Sequence, residues 1–198
     1  MSPIPPLDER GHLPIGRYTV TLDDVRRRFV DDDVFANSST REALWQGLTS
    51  YLALWRRVED KAAAVLDGRT ILMSVWLGGS FISAKDSPSN VDLTIIANGD
   101  TLDECDKCGI KSQLSELAKR ESMTRRLGVT PTILKYRWFR SPWDMMRSAN
   151  YTLDQRAYAA FRGSMDDWWL RARRDGEAKS EPTMETGSWR RGYLEVIP

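Results

Sequence analysis

The chain has 198 residues, with 29 Lys and Arg against 28 Asp and Glu, a formal net charge of +1. That length suits one domain, or one domain with an appendage, and the near-zero charge excludes a global field that would draw it to nucleic acid or membrane. Two cysteines give no disulfide framework, Met1–Pro6 has no basic segment leading into an apolar one, and the apolar run Ile71–Leu77 is too short to span a bilayer; a cytoplasmic protein is expected.

In chain order, Met1–Gly16 is rich in Pro and Gly and reads as an extended arm laid over a globular surface. Thr21-Leu22-Asp23-Asp24 is a helix start with a hydroxyl N-cap and a carboxylate three residues on, followed by Leu22, Val25 and Phe29 at helical spacing. Asp31-Asp32-Asp33 reads as a solvated acidic turn rather than a metal site. Ser39-Thr40-Arg41-Glu42 reads as a second capping box. Beyond it, Leu44, Leu48, Leu52, Trp55, Val58, Ala62 and Val65 make one apolar helix face, stopped by Asp67-Gly68.

Ile71–Leu77 is a short apolar run rich in β-formers, the pattern of a strand buried on both faces. Gly78-Gly79-Ser80 ends it. Glycines remove the Cβ atoms that would keep a phosphate from the backbone N–H groups, and Ser80 adds a hydroxyl donor. A polar loop, Lys85–Asn90, leads to a second strand, Val91–Ile96, with Asp92 near its start.

Asn98–Gly109 is a polar connector carrying Cys105-Asp106-Lys107-Cys108. Zinc wants four ligands and the only histidine is His12, so free thiols are expected. Lys111–Leu127 is an amphipathic helix closed by Gly128, and Pro131–Phe139 a third strand. Pro142–Asn150 and Leu153–Arg174 read as helices, the latter weakened by Gly163. Asp175–Gly187 reads as a surface loop or a mobile segment, and Trp189–Ile197 returns as a terminal strand. Trp168-Trp169 with Arg171, Arg173 and Arg174 suits a packing helix with a charged outer face, or a partner interface.

Several of these residues together resemble the minimal nucleotidyltransferase signature, glycine-serine followed by D-x-D on the neighbouring strand. Gly79-Ser80-Phe81-Ile82-Ser83-Ala84-Lys85 and Glu9-Arg10-Gly11-His12-Leu13-Pro14-Ile15-Gly16 resemble the G-S-F-x-x-A-K and E-x-G-x-L-P-x-G segments of uncharacterised bacterial and phage-borne nucleotidyltransferase-like proteins. The resemblance runs from about Leu7 to Ile96, is weaker to Arg140, and returns at Tyr193–Ile197.

It implies an α/β (α+β) fold: a small mixed sheet of the minimal nucleotidyltransferase type, flanked by helices. The division expected is an arm over residues 1–16, a core over 17–140, and a helical C-terminal part over 141–198 with a returning strand. The implied activity is transfer of a nucleoside monophosphate from an NTP to a hydroxyl on RNA or protein. Asp92 and Asn90 stand at the catalytic and Mg²⁺ positions, and Gly78, Gly79, Ser80 and Lys85 at the nucleotide. Relatives of this kind are often linked to toxin–antitoxin or phage-defence systems.

The chain also departs from the signature. Asn90-Val91-Asp92 stands where the family has D-x-D, so one carboxylate is an amide and divalent affinity should fall. The third strand has no acid: Thr132, Lys135 or Arg137 takes the expected place, and Asp86, Asp100, Asp103 or Glu104 are the substitutes available from loops. Lys135-Tyr136-Arg137-Trp138-Phe139-Arg140 alternates cations with aromatics, so Lys135 and Arg137 on one strand face can hold nucleotide or RNA phosphates. A solvated basic face over a packed aromatic one fits the same pattern. Two readings stay open: a transferase, or a non-catalytic module binding nucleotide, RNA or a protein partner.

Overall fold

A computed structural model describes residues 4–105, 109–145, 151–172, 188 and 191–198. Five strands, β1 (Arg17–Val20), β2 (Leu72–Gly78), β3 (Val91–Asn98), β4 (Val129–Tyr136) and β5 (Tyr193–Val196), form one mixed sheet in the order β1-β5-β2-β3-β4. β2 runs antiparallel to β3 and β5, whereas β1 pairs parallel with β5 and β3 parallel with β4. The central strands β2 and β3 are buried along most of their length, with Ser74 and Thr94 as buried polar residues among the apolar ones. Met73 is the exception: it is exposed where the β2–β3 register shifts between Leu72 and Ser74. The returning strand expected near the end of the sequence is present as β5, an interior strand between β1 and β2. β1 has no counterpart in the sequence reading, since four residues between a glycine and a helix cap carry too little periodicity to register.

α1 (Leu22–Phe29) starts as its sequence directs. The Thr21 hydroxyl accepts from the Asp24 N–H, and the Asp24 carboxylate accepts from the Thr21 N–H. The acidic turn after it is held by Arg28–Asp32 and Arg26–Asp31 ion pairs. α2 (Arg41–Leu66) lays Leu48, Trp55 and Ala62 into the core. Two expectations here are corrected. Val65 is exposed and Leu66 is buried, because Leu66 lies one turn beyond Ala62 on the core face. The second capping box does not form: Thr40 donates its hydroxyl to the Pro88 carbonyl at 2.7 Å, and Glu42 turns to Arg26. Asp67, with φ of 47°, ends the helix.

The connector over 98–109 contains α3 (Gly99–Cys105), started by the Asn98 side chain accepting from the Thr101 N–H. Its buried side chains, Leu102 and Cys105, sit one turn apart in a polar stretch, a signal too sparse to read as a helix. Cys105 is buried and in no disulfide among the described residues; Cys108 lies outside them. The single helix expected over 111–127 is two, α4 (Lys111–Leu117) and α5 (Arg120–Leu127), parted at Lys119, whose ψ is 90°. The Tyr51 hydroxyl donates to the Leu117 carbonyl and satisfies that helix end. Gly128 closes α5 in the left-handed conformation.

α6 (Pro142–Met145) is the described part of the helix expected over 142–150. α7 (Leu153–Leu170) is capped reciprocally by Thr152 and Gln155 and ends before the predicted Arg174. The segment 175–187, with Trp189, lies outside the described residues. Trp169 locks α7 to the sheet: its ring packs on Gly78, and its indole N–H donates to Thr94 Oγ1 at 2.9 Å. Among the described residues no helix is long and apolar enough to cross a membrane.

Candidate functional site

β2 ends with Gly78 directly opposite Asp92, near the start of β3. Gly79 then takes φ of +72°, which the absence of a Cβ permits, and turns the chain into a single 3-10 turn over Gly79–Ile82. This turn forms one wall of a cleft of about 1070 Å³, and Gly79, Ser80, Lys85, Asn90 and Asp92 all line it. The structure therefore brings together five of the residues singled out in the sequence. Gly78 lies beneath, buried under the Trp169 ring. The Ser80 hydroxyl has no hydrogen bond to any described residue, whereas its carbonyl accepts from the Ser83 hydroxyl at 2.8 Å.

Lys135 and Arg137 are not brought to this cleft. β4 runs parallel to β3, pairing Thr130 with Asp92 and Lys135 with Ala97. Lys135 thus stands at the far end of the strand. Side chains alternate along a strand, so Lys135 and Arg137 share a face, but it is the face opposite Thr130 and Thr132. Arg137 is buried there, bonded to Asp100, Asp103 and Asp154, and Lys135 lies 3.7 Å from Asp103. Those acids, with Glu104 paired to Arg69, are spent on ion pairs and supply nothing to the cleft. Thr132 occupies the third-strand position instead.

The cleft is strongly cationic. Arg10, Lys85, Arg120, Arg171 and Arg191 line it, Arg171 being paired with Asp167, and among the described residues Asp92 is the one carboxylate in the lining. Arg10, Lys85 and Arg120 are exposed and take part in no ion pair among the described residues. Burial pushes the Asp92 carboxyl above the usual carboxylate range; the Asn90 hydrogen bond and the charges of Arg120 and Arg191 pull the other way without cancelling it.

The amide of Asn90 is committed. Its nitrogen donates to Asp92 Oδ1 at 2.7 Å and to Thr130 Oγ1 at 2.8 Å, and its oxygen accepts from Ser89 at 3.1 Å. An ionised carboxylate only accepts, so the nitrogen must face Asp92. The pair therefore presents one free carboxylate oxygen rather than four oxygens for a shared ion, and among the described residues no group of three acidic, histidine or cysteine side chains clusters. This donor set does not fit a two-ion Mg²⁺ site.

The role of Arg41, and the convergence of Arg10, Arg120, Arg171 and Arg191 on the cleft, escaped the sequence reading. All five guanidinium N–H groups of Arg41 are used, donating to the carbonyls of Phe29, Phe81, Ser83, Lys85 and Asp86. Its guanidinium also lies 3.7 Å from the Phe35 ring centroid. Burial lowers its pKa to about 10, with Asp86 opposing. Arg41 is thus the internal template for the loop that carries Ser83, Ala84 and Lys85. The Ala84 N–H in turn donates to the Gly11 carbonyl at 2.8 Å, which docks the N-terminal arm on that loop and brings Arg10 to the cleft. In sequence Arg41 looked like an ordinary first-turn residue, and nothing in its neighbours marks it.

No curated protein and no solved structure matches the chain. Residues 5–182 match a family of unknown function (DUF6932), and the chain belongs to that family.

Proposed function

We propose that the chain is a nucleotidyltransferase-like protein whose cleft binds the triphosphate of a nucleotide. The observation that carries this reading is the Gly79–Ser80 turn set against Asp92 in a cleft whose described lining has five cationic side chains, Arg171 among them paired with Asp167, and one carboxylate. A triphosphate brings several negative charges, and a cleft lined by one sign of charge concentrates its field on such a ligand. Ser80 supplies a hydroxyl donor. Lys85 and Arg120 supply charge without a competing partner, each phosphate contact being the stronger, charge-assisted kind. The charge balance favours an anion held by the protein's own cations.

A second reading rests on Asp92. Among the described residues it is the cleft's only carboxylate, with its pKa raised by burial, and in this reading it accepts the proton of an attacking hydroxyl as a nucleoside monophosphate passes to RNA or protein and pyrophosphate leaves. One experiment separates the two: the full chain is incubated with each labelled NTP, with and without Mg²⁺, and with total RNA or lysate. Binding is followed by fluorescence anisotropy and transfer by covalent label. Binding without transfer supports the first reading and transfer the second. If no nucleotide binds at millimolar concentration, both fall.

A further inference from the structure

On α7, Phe161, Met165 and Trp168 stand at i, i+4 and i+7, one face of a helix. All three line the cleft, yet Phe161 is 41% and Trp168 44% exposed. Their neighbour Trp169 turns the other way into the sheet and fixes the helix by its bond to Thr94, so the exposed ridge is held in place rather than loosely packed. Solvated aromatic side chains alone indicate no particular ligand. Here the ridge borders a cleft to which Arg10, Lys85 and Arg120 contribute charges with no described ion-pair partner. Rings along one wall and free cations in the same cleft match a ligand with flat apolar faces on a polyanionic backbone.

The length of the ridge narrows the choice. Seven residues at about 1.5 Å each place Phe161 and Trp168 roughly 10 Å apart along the helix, too far for one base to lie on both rings, whereas successive unstacked bases of a strand can take one side chain each. A mononucleotide has one base and would leave most of the ridge bare. We propose that the α7 ridge is a stacking platform for a short single-stranded nucleic acid, about three nucleotides long. Its bases lie on Phe161, Met165 and Trp168 and its phosphates on the cations, and one end leads toward Ser80 and Asp92. Duplexes are disfavoured, because their base faces are already stacked internally and cannot be offered to a side chain. The proposal rests on the nucleotide reading of the Gly79–Ser80 end but concerns a different wall of the cleft.

The test uses the full chain with five fluorescent probes: a hexanucleotide as RNA and as DNA, the matching duplex, labelled ATP, and an acidic peptide of similar charge. Anisotropy is measured at low and high salt for the parent and for Phe161→Leu/Trp168→Leu, which keeps an apolar surface but removes the rings. The single strands should bind, more weakly as salt rises because counterions are released, and the Leu variant should lose about tenfold or more for the strands and less for ATP, which has one base to lose contact. RNA bound in preference to DNA would identify the 2′-hydroxyl as part of the recognition; equal binding would leave stacking and charge as the whole of it, and either result supports the platform. Duplex binding equal to single-strand binding, unchanged affinity in the Leu variant, or binding of the peptide alone overturns it. ATP binding with no strand binding overturns the platform and leaves the nucleotide reading standing. Strand binding without ATP binding does the reverse.

Discussion

A methyl group on Gly79 would collide with the Asp92 carboxylate, so the turn and the acid can share this corner only because residue 79 has no Cβ. The positive φ of Gly79 makes the same demand independently. Gly79→Ala should therefore destabilise the protein by about 1–3 kcal/mol and displace the Asp92 side chain. Urea denaturation measures the first effect, and loss of nucleotide binding at concentrations that saturate the parent reports the second. A variant as stable as the parent would show that the corner is not built as described.

Asn90→Asp replaces the donor that faces Asp92 by a second carboxylate at the same short range. Two like charges there should lower stability at pH 7 without metal, because one of them is forced to stay protonated or repel the other. The new pair also supplies the oxygens that the amide withholds, so Mg²⁺ should bind about tenfold or more tightly and restore stability. Calorimetric titration and melting with and without Mg²⁺ check both. Equal Mg²⁺ affinity in the two proteins would mean that residue 90 is no ligand position.

Asp92 gives a pH signature. Its folded pKa lies above its ordinary value, with burial as the largest cause, so the folded state binds the proton more tightly than the unfolded chain does. The stability this provides is complete below the ordinary carboxylate pKa and is lost as pH rises through the folded one. Asp92→Asn removes the ionisation. The variant should melt at a higher temperature than the parent at pH 7, with the gap closing toward pH 4, while any transferase activity disappears. Melting curves across that range test it; a gap that widens on acidification would reverse the sign and refute the assignment.

Arg41 should be among the most sensitive positions in the chain. Removing its side chain orphans several buried carbonyls, at about 1–3 kcal/mol each, so Arg41→Met should cost at least about 3 kcal/mol. Arg41→Lys should not rescue it, since an ammonium has three donors where five are used. Chemical denaturation of both variants is the measurement, and rescue by lysine would show that charge rather than the donor fork matters.

Arg137→Ala separates the basic strand from the cleft. Arg137 is buried and holds Asp100 and Asp103 of α3 and Asp154 of α7, so its loss should cost about 1–3 kcal/mol and leave nucleotide affinity unchanged. Lys85→Ala should do the opposite, weakening nucleotide binding about tenfold with stability intact. A binding defect in the first variant would return the phosphate site to the basic strand.

What the sequence made legible follows from how far each signal reaches. β2, the glycine turn and β3 are contiguous, and their local pattern dictates a strand, a break and a strand; Asp92 and Ser80 inherit their closeness from that. Thr21 and Thr152 cap because each pairs with a side chain three residues on. The cleft's cations lie on the arm, α5, α7 and the approach to β5, and only tertiary packing collects them. Lys135 and Arg137 were correctly placed on one strand face, but alternation does not say which face meets the site. That depends on the β3–β4 register, which pairs Asp92 with Thr130.

The position of β5 has a consequence for how the molecule is made. Tyr193–Val196 is the last of the described strands in sequence, yet it lies between β1 and β2. A growing chain can pair β2 with β3 and β3 with β4 as they emerge, but β1 must wait for the final strand because β5 is its partner in the sheet. Such a pairing between distant ends closes a very long loop, and contacts of this kind slow folding. Until it closes, β2 offers an unpaired apolar edge, the feature that invites strands of other chains. A chain lacking Tyr193–Val196 would keep Ser80, Asn90 and Asp92 and still tend to aggregate, so possession of the cleft residues is not enough without the strand that covers the edge of β2.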